Sequence, residues 1–142
     1  MNMPSAELAL PMLGMMILTL LVWVFMFIRR ISFAQSNNID IEDFKTPADT
    51  QALIPGDESA PSNNFQNLFE LPVLFYAICL YLTVTMQVDS LYVNCAWAFL
   101  VLRAVHSLIH CSYNRVAHRF AVYILSGVAL WIMVVRAFLS AV

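Results

Sequence analysis

Charge is scarce in this chain, and glycine scarcer. Of 142 residues only 11% are charged, against about a quarter in soluble globular domains. Seven Lys+Arg against nine Asp+Glu leave a net charge of −2. There is thus no basic surface for a phosphate backbone, and nucleic acid is excluded as a partner. Only 3 glycines in so apolar a chain argue for helices and against a turn-rich β-barrel. The three cysteines, Cys79, Cys95 and Cys111, lack CxxC spacing, which removes local support for zinc or thioredoxin-like chemistry. In apolar surroundings they read as small hydrophobes. A positive n-region and a small-x-small cleavage site are also missing, so the first apolar run does not read as a signal peptide. What is abundant is apolar: 61% of residues, with a mean hydropathy of +0.76. The class that remains is an all-α, multi-pass membrane protein of one domain.

A spanning helix needs about 20 mostly apolar residues. Four stretches qualify, at about 8–28, 68–86, 91–112 and 120–142. The second carries Pro72, whose missing N–H should free the Leu68 carbonyl and kink the helix. Arg136 lies close enough to the end of the fourth to snorkel. Residues 87–90 and 113–119 read as tight links. The first link, about 32–64, is long, polar and holds six of the nine acidic residues. Its composition reads as an irregular connector or as a lid over a site on the same face. Lys and Arg orient the bundle: the first link carries Arg29, Arg30 and Lys45, the third Arg115 and Arg119, the second none. The long loop is therefore expected in the cytoplasm, with both termini outside.

Ionisable groups inside spans are costly and call for a partner or a purpose. Asn63, Asn67 and Glu70 follow at intervals of four and three, and Arg103, His106, His110 and Asn114 at three, four and four. Each set should share one helix face. Both lie in the half of the bilayer beside the loop, which predicts a common pocket. Three readings compete for it. It could be interhelical hydrogen bonds with a buried Glu70–Arg103 pair. It could be a metal or haem site on His106 and His110, which lack a third imidazole or thiolate. Or it could be a site for an anionic or zwitterionic ligand, with Arg103 and Arg119 for carboxylates, Asn67 and Asn114 as amides, and Glu70 for an ammonium.

The string Asn63-Asn64-Phe65-Gln66-Asn67-Leu68-Phe69-Glu70-Leu71-Pro72 resembles the second-helix signature of the MAPEG family, the membrane-associated proteins in eicosanoid and glutathione metabolism. Arg103-Ala104-Val105-His106-Ser107-Leu108-Ile109-His110, with Arg119 beyond it, is similar to the third helix and following loop of that family's microsomal glutathione transferases. The layout of spans and links also agrees, and the variant resembles the bacterial branch. The resemblance implies a MAPEG-like left-handed four-helix bundle, a homotrimer, and glutathione bound between subunits near the cytoplasmic side of a bacterial inner membrane. It implies that Asn67 and Glu70 hold the tripeptide, that Arg103 and His106 are the third-helix pair, and that Arg119 stabilises the glutathione thiolate. The second substrate would be a hydrophobic small molecule or lipid electrophile from the bilayer. The sequence departs from the pattern at Asn63, where transferases have arginine, at Leu71, where leukotriene-type enzymes have tyrosine, and at His110, where microsomal transferases have tyrosine. Those departures leave open a second outcome, a non-catalytic membrane subunit or lipid-binding protein that keeps the fold.

Overall fold

The first apolar run has no internal charge, and neither Pro11 nor Gly14 stops it. In the computed structural model, which describes residues 7–56 and 58–141, it forms α1, Ala9–Ser36. At 1.5 Å per residue α1 is about 42 Å long, more than the roughly 30 Å of hydrocarbon. The apolar span reads as ending near residue 28, and the helix runs on past it with Arg29 and Arg30 on its last two turns. It ends where Asn38 takes a left-handed φ of 52° and the Ile39 N–H reaches back to the Ala34 carbonyl at 3.0 Å, the six-to-one bond of a Schellman end.

The long link is more ordered than its composition implied. Asp40 caps a short 3-10 turn, Ile41–Asp43. Thr46 and Asp49 then form a reciprocal capping box around Pro47, starting α2, Pro47–Leu53. T-x-x-D ahead of a helix is a legible signal, masked here by the acidic and Pro-rich setting. α3, Ala60–Asn67, occupies the end of the segment read as loop. Arg29 fastens the link to α1 through an ion pair with Glu58 at 2.7 Å.

The remaining helices are α4, Leu71–Val84, α5, Ser90–Cys111, and α6, Val116–Ala141; Val142 lies outside the described residues. Among the described residues, four helical stretches are long and apolar enough to cross a membrane, with α3 and α4 forming one of them. The largest helix–helix contact joins α5 to α6. The core is built from Met15 and Val22 of α1, Phe75 and Cys79 of α4, Phe99 of α5 and Met133 of α6. The Phe75 and Phe99 rings stack with centroids 4.5 Å apart. Gly14 allows α1 to approach α5: a Cβ there would stand 2.6 Å from Leu100 Cδ2. Large apolar side chains such as Leu13, Leu21, Val101 and Phe138 point outward, as lipid-facing helices require.

Arg136 does not snorkel to the helix end alone. Its guanidinium grips both Asp89 carboxylate oxygens, Nη1 to Oδ1 at 2.9 Å, and lies 4.5 Å from the centre of the Tyr92 ring. Asp89 also caps α5, accepting from the Leu91 and Tyr92 N–H groups at 3.1 Å each. The short 87–90 link and the end of α6 are thereby tied together at the face opposite the long loop.

Candidate functional site

α5 supplies the polar face that its spacing indicated. Arg103, His106, Ser107 and His110 are all buried, and Arg103 is wholly so. Arg103 lies about 20 Å along α5 from Ser90 and His110 about 30 Å, in the loop-side half of the span. Burial of these groups follows from helix geometry: positions three, four and seven apart share the side that packs against α3 and α6.

What meets Arg103 depends on a break in the second span. Helix α3 stops at Asn67 and α4 starts at Leu71, with Glu70 at a non-helical φ of −97° and ψ of −103°. Pro72 sits in the first turn of α4, where proline is tolerated because its absent N–H would be unpaired anyway. The expected kink is thus a full interruption. Among the described residues no backbone N–H takes the Asn67 carbonyl, and Arg103 Nη2 donates to it at 2.8 Å. The carbonyl is open to a side chain because the helix ladder is cut.

Two of the predicted relationships are corrected by this break. Asn63, Asn67 and Glu70 do not share one continuous helix face, since the chain leaves helical geometry between the last two. Asn63 is exposed and its amide donates to Ser59 at 3.5 Å; Glu70 is exposed as well. Glu70 and Arg103 also form no ion pair, as the ion pairs among the described residues are Arg29–Glu58 and Arg136–Asp89. The inward amide is that of Asn64, wholly buried. It accepts from Ser107 Oγ at 3.3 Å and donates to Cys111 Sγ at 3.5 Å. Asn64 stands beside Asn63 in sequence, and only the direction of α3 decides which of the two turns inward.

Tyr123 of α6 is a member of the cluster that the sequence reading missed. Its ring centre lies 5.6 Å from the Arg103 guanidinium carbon and 5.9 Å from that of His106. The signal was available: Arg119 and Tyr123 are four residues apart and so share a face of α6. His106 and His110 meet edge to face at 5.5 Å. Among the described residues, no three His, Cys, Asp or Glu side chains are placed to share a metal ion.

Asn114 and Arg119 stand at the loop-side mouth. Asn114 takes a left-handed φ of 46°, a conformation asparagine tolerates better than most residues. Its Oδ1 accepts from Arg119 Nη1 at 2.7 Å, and Arg119 is half-buried. Beside Asn114 lies a cavity of about 500 Å3, with Arg29, Cys111 and Tyr113 in its wall.

Four buried polar atoms of this cluster have no hydrogen-bond partner among the described residues: Arg103 Nε, Arg103 Nη1, His106 Nδ1 and His110 Nδ1. A buried donor without an acceptor is costly, and more so when charged. Chemically the cluster offers spare guanidinium donors to an anion, amides to a peptide, and two imidazoles to a proton. A model of the MAPEG family matches residues 8–139, nearly the whole chain. No curated protein and no solved structure matches it.

Proposed function

Since the chain belongs to the MAPEG family of membrane proteins, we propose that it binds glutathione or a similar thiol at the Arg103 cluster and joins the thiolate sulfur to a hydrophobic electrophile, the thiol proton ending on the adduct or on the displaced group, or that two such thiols reduce a lipid peroxide to the alcohol and water and leave as the disulfide. The observation that carries this reading is Arg103, fully buried with Nε and Nη1 unpartnered. In a membrane interior such a cation calls for an anionic partner, and a carboxylate matches the planar guanidinium fork. The orphaned atoms therefore fit an acidic peptide. Arg103 would hold a carboxylate, Asn67 would fix the backbone, and Glu70 at the helix break would take the ammonium. His106, His110, Asn114 and Tyr123 would shape the remaining wall.

Glutathione would supply the nucleophilic sulfur. Arg119 would favour the thiolate over the thiol, because a nearby cation stabilises the charged form and lowers the thiol pKa. The apolar outer faces of the helices would admit the second substrate from the bilayer. In the same reading the site is completed between subunits of a homotrimer in a bacterial inner membrane, with the long loop cytoplasmic.

The second reading, a fold retained for binding or assembly without catalysis, is favoured by one specific observation. Asn63 stands where the transferases have arginine, and here it faces Ser59 and not the cluster. An ultraviolet thiolate titration separates the two. With millimolar glutathione at neutral pH, where the free thiol is largely protonated, the purified protein should develop a thiolate band. Arg119→Ala should abolish it. Glu70→Gln should weaken binding roughly 10- to 100-fold, the worth of one charge-assisted hydrogen bond. Absence of both a thiolate band and a thermal shift would leave the non-catalytic reading in place.

A further inference from the structure

A second cavity lies under the long link, across α3 from the Arg103 cluster. It measures about 440 Å3, is partly open, and is bordered by α1, α2, α3 and the link residues between them. Met26, Phe44, Ile54 and Phe65 form its apolar lining, and Arg30 and Lys45 are its cations. The two neighbouring arginines of α1 are partnered differently. Arg29 is neutralised by Glu58 at 2.7 Å. Arg30, half-buried, makes one long bond to Ser62 Oγ at 3.4 Å. Among the described residues neither Arg30 nor Lys45 has a carboxylate within ion-pair distance. Among the described residues Glu58 is the one acid in the cavity wall, and Arg29 already engages it. A guanidinium has five donors in a fork that suits phosphate oxygens, so most of the capacity of Arg30 is unused.

Depth narrows the ligand. Arg30 stands roughly 32 Å along α1 from Ala9, which is about the hydrocarbon thickness of a bilayer. Its charge is therefore at the level of the headgroups, while Met26, one turn earlier, is at the edge of the acyl chains. Cations at headgroup level above an apolar lining match the polarity order of an anionic phospholipid.

We propose that this cavity binds a phosphate group, held by Arg30 and Lys45, and that an anionic phospholipid headgroup is the source favoured by its depth. Asn63 also borders this cavity, but neither cation is drawn from the Arg103 cluster, and the proposal does not rest on the thiol reading. Native mass spectrometry of the whole protein in mild detergent, titrated with phosphatidylglycerol, tests it. The wild type should retain one lipid per chain, and Arg30→Gln and Lys45→Gln should each weaken retention roughly tenfold. Arg115→Gln, an exposed arginine that does not line the cavity, should leave it unchanged. Lys45 is exposed between the 3-10 turn and α2, so its variant reports on the site even if Arg30→Gln disturbs folding. If inorganic phosphate displaces the lipid in the wild type, or alone gives a thermal shift lost in Lys45→Gln, the same phosphate chemistry is served from solution. Retention equal in the wild type and Lys45→Gln would overturn the proposal. So would displacement by glutathione, which would assign the cavity to the thiol site.

Discussion

Asp89 works on two elements at once: it caps α5 through two backbone N–H groups and receives both arms of the Arg136 guanidinium. The Arg136 hydrogen bond, followed by that from the Tyr92 N–H, holds the Asp89 carboxyl below its ordinary pKa. A carboxylate whose folded pKa is depressed contributes stability that is complete above the unfolded value, about 3.9, and disappears as pH falls through the folded value. The melting temperature of Asp89→Asn in detergent should therefore lie below wild type by a constant amount from pH 7 to about pH 5. Below about pH 4 the gap should close. Both side chains are 42% exposed, so the gap should be small and should shrink with salt. A gap of the same size at every pH would mean that capping by the amide, and not the charge, accounts for the effect of Asp89.

Among the elements, the interrupted second span has the most consequence for the site. Had α3 run unbroken into α4, the Leu71 N–H would take the Asn67 carbonyl and Arg103 would lose its one hydrogen bond. Pro72 keeps the join open, since it cannot donate to Leu68 and its ring would crowd that carbonyl in a continuous helix. Pro72→Ala should lengthen the helix through this point. Hydrogen exchange at Phe69–Leu71 should slow, and thiol binding should fall as the Asn67 carbonyl turns back into the ladder. Unchanged exchange at those amides would show that the break is set by the packing of α3 on α1.

At the scale of the whole molecule, one chain leaves wide apolar faces on α1 and α6 exposed. A trimer would cover part of them, whereas Arg103 is already buried within one chain. Native mass spectrometry in mild detergent should show three copies; a stable monomer would count against it. Topology has a separate test. Ser36, at the end of α1, and Ser90, at the start of α5, are both exposed and stand on opposite faces of the bundle. In a background free of Cys79, Cys95 and Cys111, an impermeant thiol reagent applied to spheroplasts should modify Ser90→Cys and spare Ser36→Cys. The reverse pattern would place the long loop outside.

The number of spans, the membrane setting and the polar face of α5 were settled by composition and periodicity, because burial in a bilayer demands long apolar runs and any exception stands out against them. The family signature was legible for the same reason: Asn67, Glu70, Arg103 and His106 are conspicuous in apolar surroundings. Sequence could not decide which way α3 turns. Asn63 and Asn64 are the same residue type one step apart, about 100° around a helix, and only packing against α5 puts Asn64 with Ser107 and Cys111. Nor could it reveal that Glu70 forms no ion pair with Arg103, because counting residues along one helix assumes a ladder that Pro72 interrupts. The Asp89–Arg136 clasp, the contact of Tyr123 with Arg103, and the cavity below the loop all join residues distant in sequence. Such contacts depend on how the helices assemble, and local spacing along one chain carries no information about that.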